Sequence, residues 1–512
     1  MMRTDVLVVG SGIAGLAFAI RLAETLPGID IAVIAKSEVC NTALAQGGIA
    51  VVTDLENDSF ARHQQDTMDA GGGFSDPDVV RMVVQEAPER LQELLRWGVV
   101  FDRDADGAYN LHKEGGHSAR RILHKLDCTG KEIEEKLLQR LSAFKHVRLH
   151  RHLLAVDLLS LHTDAQDSCR SVFSGMRVYD PERNCSWPFF ARFCLIASGG
   201  CAALYSNSTN PPEATGDGVA IALRAGIPLR DMRFMQFHPT ALQVPGKQEG
   251  LFLITEALRG FGAHMVNAEG KRFLFKSDMR GELATRDVVT AAIRSELKLS
   301  VGKQVYLDCR HLDAALLRQQ FPSVCTALDQ LKIDLSRDLI PVVPAAHYQC
   351  GGIVSGLKGE TAMRHLYAAG ECAYTGLHGR NRLASNSLLE ALVFANRAAT
   401  DVLERIGDAG LSTVSFAETR SHNPPDMEIL YLLKDLASQL RQWVDLAGVP
   451  CQESPSLNFE IPDRIAAITA ELLNAGFLSR EILQMRNMTA VARAIASDVQ
   501  KHEQNHVDLA SV

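Results

Sequence analysis

Short apolar runs alternate with segments of helical spacing along the N-terminal part of the chain. Residues 6–9 form a valine-rich run bounded by polar residues, with the length of a buried parallel strand. Residues 16–26 follow with apolar side chains in helical rhythm. Two more runs, residues 30–36 and 193–200, predict further strands. This order predicts an α/β fold built on a parallel sheet.

The turn between the first strand and the first helix reads G-x-G-x-x-G, at residues 10–15. Its glycines let the backbone approach a pyrophosphate, and the N-terminus of the following helix faces the negative charge. The strand–turn–helix context favours dinucleotide binding, and the alternative is a tight turn that needs small residues. The predicted cofactor-binding residues of this turn are Gly10, Ser11, Gly12, Ile13, Ala14 and Gly15.

The second predicted strand ends differently from that of a typical NAD-binding unit. Such strands often end in an acidic residue that holds the ribose hydroxyls. Here the strand ends in Lys36, with Glu38 two residues later. This difference weakens an interpretation as an NAD-binding protein. It also leaves undetermined which residues contact the adenine side of the cofactor.

The remaining patterns divide the chain further. Residues 147–178 alternate as in a β-meander, with a polar tract at 162–168 that predicts a surface hairpin. Residues 231–347 are more polar and predict a separate lobe, and from about residue 421 the pattern is helical. Two apolar stripes there predict helices packed on the nucleotide-binding domain: Ile429, Leu432, Leu433, Leu436, Leu440, Trp443 and Val444, and then Ile482, Met485, Met488, Ala492, Ile495 and Val499.

Composition limits the classes of partner. The net charge of −8 argues against nucleic acid or an anionic membrane as the main partner. No apolar stretch approaches the ~20 residues that span a bilayer, and the N-terminus runs directly into a strand, so we expect a cytoplasmic protein. The 11 cysteines are scattered singly, which predicts reduced thiols and no metal site.

Residues 41–48 read N-T-A-L-A-Q-G-G, and with the first turn they resemble the flavoprotein family of succinate dehydrogenase, fumarate reductase and L-aspartate oxidase. The resemblance continues in E-G-G-H-S at 114–118, Q-F-H-P-T at 236–240, T-E-A-L-R-G at 255–260 and P-A-x-H-Y at 344–348. It implies a Rossmann-like FAD-binding domain in two parts, residues 1–229 and 349–410, with an inserted α+β capping domain at 230–348 and a helical domain at 421–512.

FAD is the cofactor that the resemblance implies. Membrane-complex members of the family carry a histidine, covalently bound to FAD, where this chain has Asn41, so non-covalent FAD is expected. The expected contacts beyond the first turn are Lys36, Asn41, Thr42, Ala43, Leu44, Ala45, Gln46, Gly47, Gly48, Asp217, Glu371, Ser387 and Leu388. For Asp217 a second interpretation is a helix N-cap, and one residue can have both roles.

A dicarboxylic substrate needs cationic or hydrogen-bonding groups for both carboxylates, and arginine suits a carboxylate best. By resemblance, one carboxylate contacts His347 and Arg382. The other contacts His238, Thr255 and Glu256, while Arg259 helps to orient the site. Arg286 matches the family's proton-transferring arginine. Because guanidinium seldom gives up a proton, the alternative is that it stabilises negative charge in the transition state.

Glu114 matches the residue that receives the substrate's ammonium in L-aspartate oxidases. A carboxylate at this place would distinguish an amino diacid from succinate. The alternative is an ordinary loop glutamate in a salt bridge with Arg120 or Arg121.

The resemblance implies FAD-dependent oxidation of L-aspartate to iminosuccinate, with dioxygen or fumarate as acceptor, at the start of de novo NAD synthesis. Quinolinate synthase is the implied partner. The alternatives are a soluble fumarate reductase or succinate-oxidising flavoprotein, and a flavin-binding protein without activity. The last interpretation arises from two departures near the substrate motifs, Phe261 and Arg380. A third departure, at residues 501–505, is expected to concern packing or assembly and one edge of the active site.

Overall fold

The computed structural model describes residues 2–161, 171–244, 246, 250–299, 304–407, 420–447 and 458–510. The hairpin predicted at 162–168 lies outside these residues. The helices are α1 (Ile13–Thr25), α2 (Phe60–Gly71), α3 (Pro77–Arg96), α4 (Thr129–Ser142), α5 (Asp217–Arg224), α6 (Glu256–Phe261), α7 (Arg286–Leu299), α8 (Ala314–Gln320), α9 (Pro322–Gln330), α10 (Asn386–Arg405), α11 (Met427–Ala447), α12 (Glu460–Asn474) and α13 (Arg480–Ala510).

The strands are β1 (Met2–Val9), β2 (Ile31–Ala35), β3 (Ile49–Ala50), β4 (Leu111–His112), β5 (Ile122–Leu123), β6 (Val147–Arg151), β7 (Leu154–Leu161), β8 (Val172–Asp180), β9 (Cys185–Ile196), β10 (Leu229–Arg230), β11 (Met235–Leu242), β12 (His264–Asn267), β13 (Val305–Asp308), β14 (Ile340–Gln349), β15 (Gly352–Val354), β16 (Leu366–Ala368), β17 (Ala373–Tyr374) and β18 (Arg420–Ser421).

The largest sheet has the strand order β6-β2-β1-β9-β8-β7, and β16 and β18 also pair with β9. Strand β1 runs parallel to both β2 and β9. Val6 and Val8 pack with α1, α3 and α10 on one face, whereas Leu7 and Val9 pack with α5 and the C-terminal helices on the other. Burial on both faces explains why the run is uninterrupted by polar residues. The predicted α/β fold is confirmed.

Strand β9 differs from its prediction at residues 193–200. It begins eight residues earlier, at Cys185, and ends at Ile196. Its first half pairs antiparallel with β8, and its second half pairs parallel with β1 and β16. The long strand therefore joins the parallel part of the sheet to an antiparallel part.

A second sheet, with the order β11-β14-β13-β12, is antiparallel. It has a hydrophobic core of its own, to which α6, α7, α8 and α9 contribute. Strands β11 and β14 carry His238 and His347. This sheet lies within the predicted capping domain, and the exact domain boundaries remain a prediction.

The C-terminal helices pack against the large sheet. Most of both predicted stripes is buried in the core shared with β1, β9 and α5. Leu432 is a correction to the first stripe, because its side chain is 41% exposed, and Ile429 is only partly buried. None of the helices in the described part of the chain is long and apolar enough to cross a membrane.

Candidate active site

The glycine-rich turn brings β1, α1 and β9 into close contact. A Cβ atom on Gly10 would lie 2.1 Å from the carbonyl oxygen of Ala197, and one on Gly15 would lie 2.1 Å from the carbonyl oxygen of Gly10. These glycines are therefore required for packing, whatever they bind. Helix α1 starts after Gly12, which provides no side-chain cap of its own, so the helix N-terminus lies at the turn where this motif binds a phosphate.

The segment 41–48 joins this turn to the rest of the site. The amide of Ile13 donates to Thr42 Oγ1 at 3.0 Å, which ties the two loops together. The amide of Gly48 donates to Ser385 Oγ at 3.2 Å, next to the first turn of α10, where Ser387 and Leu388 lie. A Cβ on Gly47 would lie 3.0 Å from Glu114 Oε1, so the expected flavin loop directly contacts the expected ammonium-binding residue.

The residues around this loop fit FAD. Gln46 Oε1 is buried and, among the described residues, has no hydrogen-bond partner. Asn41 Nδ2 donates to Glu371 Oε2 at 3.3 Å, and burial raises the pKa of Glu371 to about 7. A polar cofactor would satisfy such buried groups. Asn41 has no imidazole nitrogen, so this position cannot form the covalent bond of the membrane-complex flavoproteins.

Lys36 and Asp217, from the ends of different elements, form a pair. Lys36 Nζ lies 2.5 Å from Asp217 Oδ2. Burial alone would raise the pKa of Asp217, but Lys36, Asn487 and Thr215 together hold that pKa below its usual value. The N-cap position of α5 is occupied by Gly216, so the alternative of Asp217 as the cap is wrong.

Three buried charged residues form the centre of the candidate substrate site. Arg286, the first residue of α7, donates from Nε to Glu256 Oε2 at 2.7 Å. Arg259 Nη2 lies 2.9 Å from Glu256 Oε1. Burial would raise the pKa of Glu256, but Arg259 and Arg286 together lower it. Glu256 is therefore an ionised bridge between two guanidinium groups.

Two histidines lie beside this bridge. The His238 and His347 rings pack edge to face, with centroids 5.2 Å apart. Burial and the nearby Arg286 hold the pKa of each well below its usual value, so both rings are neutral at neutral pH. The amide of Thr240 donates to His238 Nδ1 at 3.3 Å, which leaves the proton on Nε2. Within the described chain this Nε2 is buried without a partner.

Arg382 completes the cationic group. Its guanidinium lies 4.4 Å above the Tyr348 ring, and Nη1 donates to Ser387 Oγ at 2.9 Å. Burial, together with the charge of Arg286, lowers the pKa of Arg382 to about 10. It thus remains cationic at neutral pH. Thr255 is the buried N-cap of α6, and its hydroxyl accepts the amide of Ala257 at 3.3 Å.

Glu114 lies in the same group and is not a surface glutamate. It is fully buried, and Ser385 Oγ donates to Glu114 Oε2 at 2.7 Å. Burial and the charge of Glu256 raise its pKa, while Arg286 and Arg382 oppose the shift. The carboxylate therefore interacts electrostatically with Glu256, Arg286 and Arg382, which are themselves expected substrate-site residues.

The alternative salt bridges of Glu114 are wrong. Arg121 is buried and paired with two other carboxylates, Asp58 through Nε at 2.7 Å and Asp66 through Nη1 at 2.5 Å. Arg120 donates to the Leu111 carbonyl at 3.3 Å. Arg120 and Arg121 thus bind other groups, and Glu114 remains available to the candidate substrate site.

Two further residues of the site were not among those predicted. Gln236 Oε1 accepts from Arg286 Nη1 at 3.0 Å, and its Nε2 donates to the Arg382 carbonyl at 2.7 Å, so it links the two arginines. Ser385 links Glu114 to the flavin loop from a left-handed backbone conformation, φ +63°. Such strain in a non-glycine residue is typical of functional sites. Gln236 stands inside the motif at 236–240, and Ser385 lies two residues before the expected FAD contact Ser387, which was the available signal.

The two departures lie outside this group. Phe261 is 39% exposed and packs edge to face on Phe321, at 5.7 Å between centroids. The amide of Arg380 donates to the Gly71 carbonyl at 3.1 Å, and its guanidinium lies over Gly72 at the end of α2. The described residues include no group of three metal-ligating side chains placed to hold a metal ion.

Comparison with known proteins agrees with this geometry. Residues 5–388 match the family described as FAD binding domain. The L-aspartate oxidase of Acinetobacter baylyi is 38% identical over 96% of this chain and 90% of its own length. The chain belongs to the L-aspartate oxidase family. The chloroplastic L-aspartate oxidase of Oryza sativa subsp. japonica is 44% identical over 81% of this chain, and this chain covers 64% of its length.

A solved structure also resembles this member of the L-aspartate oxidase family. A quinol fumarate reductase of E. coli aligns with a TM-score of 0.81 at 28% identity, over 98% of this chain and 89% of that one. The predictions of the flavoprotein family and of FAD as the cofactor are therefore confirmed.

Proposed function

We propose that this protein oxidises L-aspartate to iminosuccinate, with dioxygen or fumarate as the final electron acceptor, and so begins de novo NAD synthesis. The observation that carries the proposal is the position of Glu114. A buried carboxylate stands in one electrostatic group with Arg286 and Arg382 and against the loop 41–48. A site for succinate alone has no use for an anion there, because only aspartate carries an ammonium.

The chain's residues provide two binding regions. His347 and Arg382 hold one carboxylate, and the unpartnered Nε2–H of His238 donates to the other, beside Thr255. A buried donor without a partner is costly unless the substrate satisfies it. Binding at both ends fixes the α-carbon in one orientation, which is the main requirement for hydride transfer.

Oxidation removes a hydride from the α-carbon, for which bound FAD would be the acceptor, and one proton from the ammonium, which passes to the Glu114 carboxylate and leaves the protonated imine. Glu114 holds the ammonium, and the buried site excludes water. When fumarate is the acceptor, it takes up a hydride, which reduced FAD would supply, and a proton, which Arg286 delivers to the other alkene carbon. Glu256, hydrogen-bonded to Arg286 at 2.7 Å and paired with Arg259, supports that transfer by bridging the two guanidinium groups.

The second candidate is a soluble fumarate reductase or succinate-oxidising flavoprotein, which the likeness to the E. coli quinol fumarate reductase favours. Anaerobic reduction of the flavin separates the two. Bleaching of the purified yellow protein by L-aspartate and not by succinate supports the proposal. Bleaching by succinate alone would favour the second candidate, and bleaching by neither would favour a protein without the family's activity.

We further infer that the product passes quickly to an enzyme that consumes it, for which quinolinate synthase in the cytoplasm is the candidate. An imine in water hydrolyses, so the yield of quinolinate should depend on how much synthase is present during aspartate oxidation. The synthase can be added together with aspartate or only after the imine has hydrolysed. If the yield of quinolinate is the same in both cases, this inference is contradicted.

A further inference from the structure

Helix α13, from the C-terminal part of the chain, packs directly on the turn that precedes α5. Gly216 occupies this turn with φ +73°, and a Cβ there would lie 3.0 Å from Val491 Cγ2 of α13. The turn includes Thr215 and leads into Asp217. A helix distant in sequence therefore covers a segment that carries an expected FAD contact.

Asn487 of α13 is hydrogen-bonded to that contact. It is 2% exposed, and its Nδ2 donates to Asp217 Oδ1 at 3.0 Å. Arg224 Nη1 donates to Asn487 Oδ1 at 2.8 Å. Because arginine has only donors, it fixes the amide with its oxygen toward Arg224 and its nitrogen toward the carboxylate. The orientation of Asn487 is thus determined from both sides.

Lys36 is also held by α13. Arg480, the first residue of the helix, donates from Nη2 to the Lys36 carbonyl at 3.1 Å. Lys36 Nζ in turn donates to Thr215 Oγ1 at 2.9 Å and pairs with Asp217. Both members of the Lys36–Asp217 pair are therefore attached to one helix, by Arg480 at its start and by Asn487 two turns later.

We propose that Arg480 and Asn487 are positioning residues of the FAD site, through which the C-terminal helix sets the affinity for the cofactor. This rests on the proposed assignment of Lys36 and Asp217 to FAD. Without Asn487, Asp217 keeps Lys36 and Thr215 as partners but loses one of the two donors to Oδ1. A carboxylate that is held less firmly is a poorer partner for a bound ligand.

The test uses the full chain with its flavin removed, titrated with FAD while the flavin fluorescence is followed. Asn487→Leu keeps the number and branching of the side-chain heavy atoms and removes the hydrogen bonds. Because hydrogen bonds to charged groups are among the stronger ones, the expected loss of FAD affinity is about tenfold. At saturating FAD, kcat and the KM for aspartate should stay within about twofold, because the substrate residues are untouched.

Thr489→Ala is the matched control. Thr489 is buried in the same helix, but its hydroxyl donates to the Met485 carbonyl of its own helix, so FAD affinity should not change. Arg480→Ala should weaken FAD binding and Arg480→Lys should restore part of it. Since Arg480 is only partly buried, these variants test the proposal even if Asn487→Leu fails to fold.

Three results would overturn the inference, and they differ in meaning. If Asp217→Asn weakens FAD binding while both Asn487→Leu and Arg480→Ala bind normally, helix α13 has no positioning role. If Asp217→Asn itself binds FAD normally, the assignment of this residue to the cofactor is wrong. A fall in the melting temperature of the apoprotein with unchanged FAD affinity would likewise reduce Asn487 to a packing role.

Discussion

Glu114→Gln tests the element that separates aspartate from succinate. Glutamine keeps the volume of the side chain, and the Ser385 hydroxyl, 2.7 Å from the carboxylate, can donate to the new amide oxygen. The substitution therefore removes the charge and little else. Because Glu114 is fully buried, its attraction for an ammonium is not screened by solvent.

The expected magnitude follows from the hydrogen bond to a charged group. Its loss costs about 1.5–3 kcal/mol, and at 1.36 kcal/mol for each factor of ten this is a roughly 10- to 150-fold lower kcat/KM for aspartate. Reduction of fumarate, which has no ammonium, should change by less than about threefold. Anaerobic stopped-flow reduction by aspartate and steady-state fumarate reduction measure the two. An equal fall in both would refute the ammonium role of Glu114.

The pH dependence of kcat/KM for aspartate tests the role of Glu114 independently. Burial and Glu256 raise the pKa of Glu114, so in the wild type kcat/KM for aspartate should fall as the pH drops through this raised pKa. The Gln variant should lack that fall. The raised pKa also determines how Glu114 affects the stability of the fold. A carboxyl group whose pKa is raised in the folded state stabilises the fold at low pH, and this contribution is lost as the pH rises. The variant should therefore not melt below the wild type at neutral pH.

Three further outcomes are expected. Arg286→Lys cannot keep both hydrogen bonds of the guanidinium, to Glu256 and Gln236. Fumarate reduction should therefore fall by about 100-fold or more while the flavin spectrum is retained. Normal turnover would exclude Arg286 from proton transfer. His238→Ala should raise the KM for every dicarboxylate by about tenfold, since the lost Nε2 donor serves a carboxylate and not the ammonium; a change for aspartate alone would contradict this. Phe261→Glu and Arg380→Ala should leave kcat/KM within about twofold, and a larger change would show that these side chains reach the site.

The sequence alone predicted the local elements and the types of residue in the site. Residues 6–9 and 30–36 were recognisable as buried strands because burial on both faces leaves a continuous apolar run. The glycines at 10 and 15 were recognisable because no other residue fits between the strand and the helix. The motifs then supplied the candidate chemistry, and Gln236 was missed although it stood inside the motif at 236–240. Ser385 was missed although it lies two residues before the expected contact Ser387.

Only the tertiary structure decided which of these residues meet. Glu114 lies against Ser385, 271 positions away, rather than against its neighbours Arg120 and Arg121, since Arg121 is already neutralised by two buried carboxylates. Lys36 pairs with Asp217 across 181 positions. Periodicity records which face of an element is buried, but the partner of a buried charge is decided by long-range packing, where desolvation makes every unpaired charge costly. That information lies in the fold and not in any single segment.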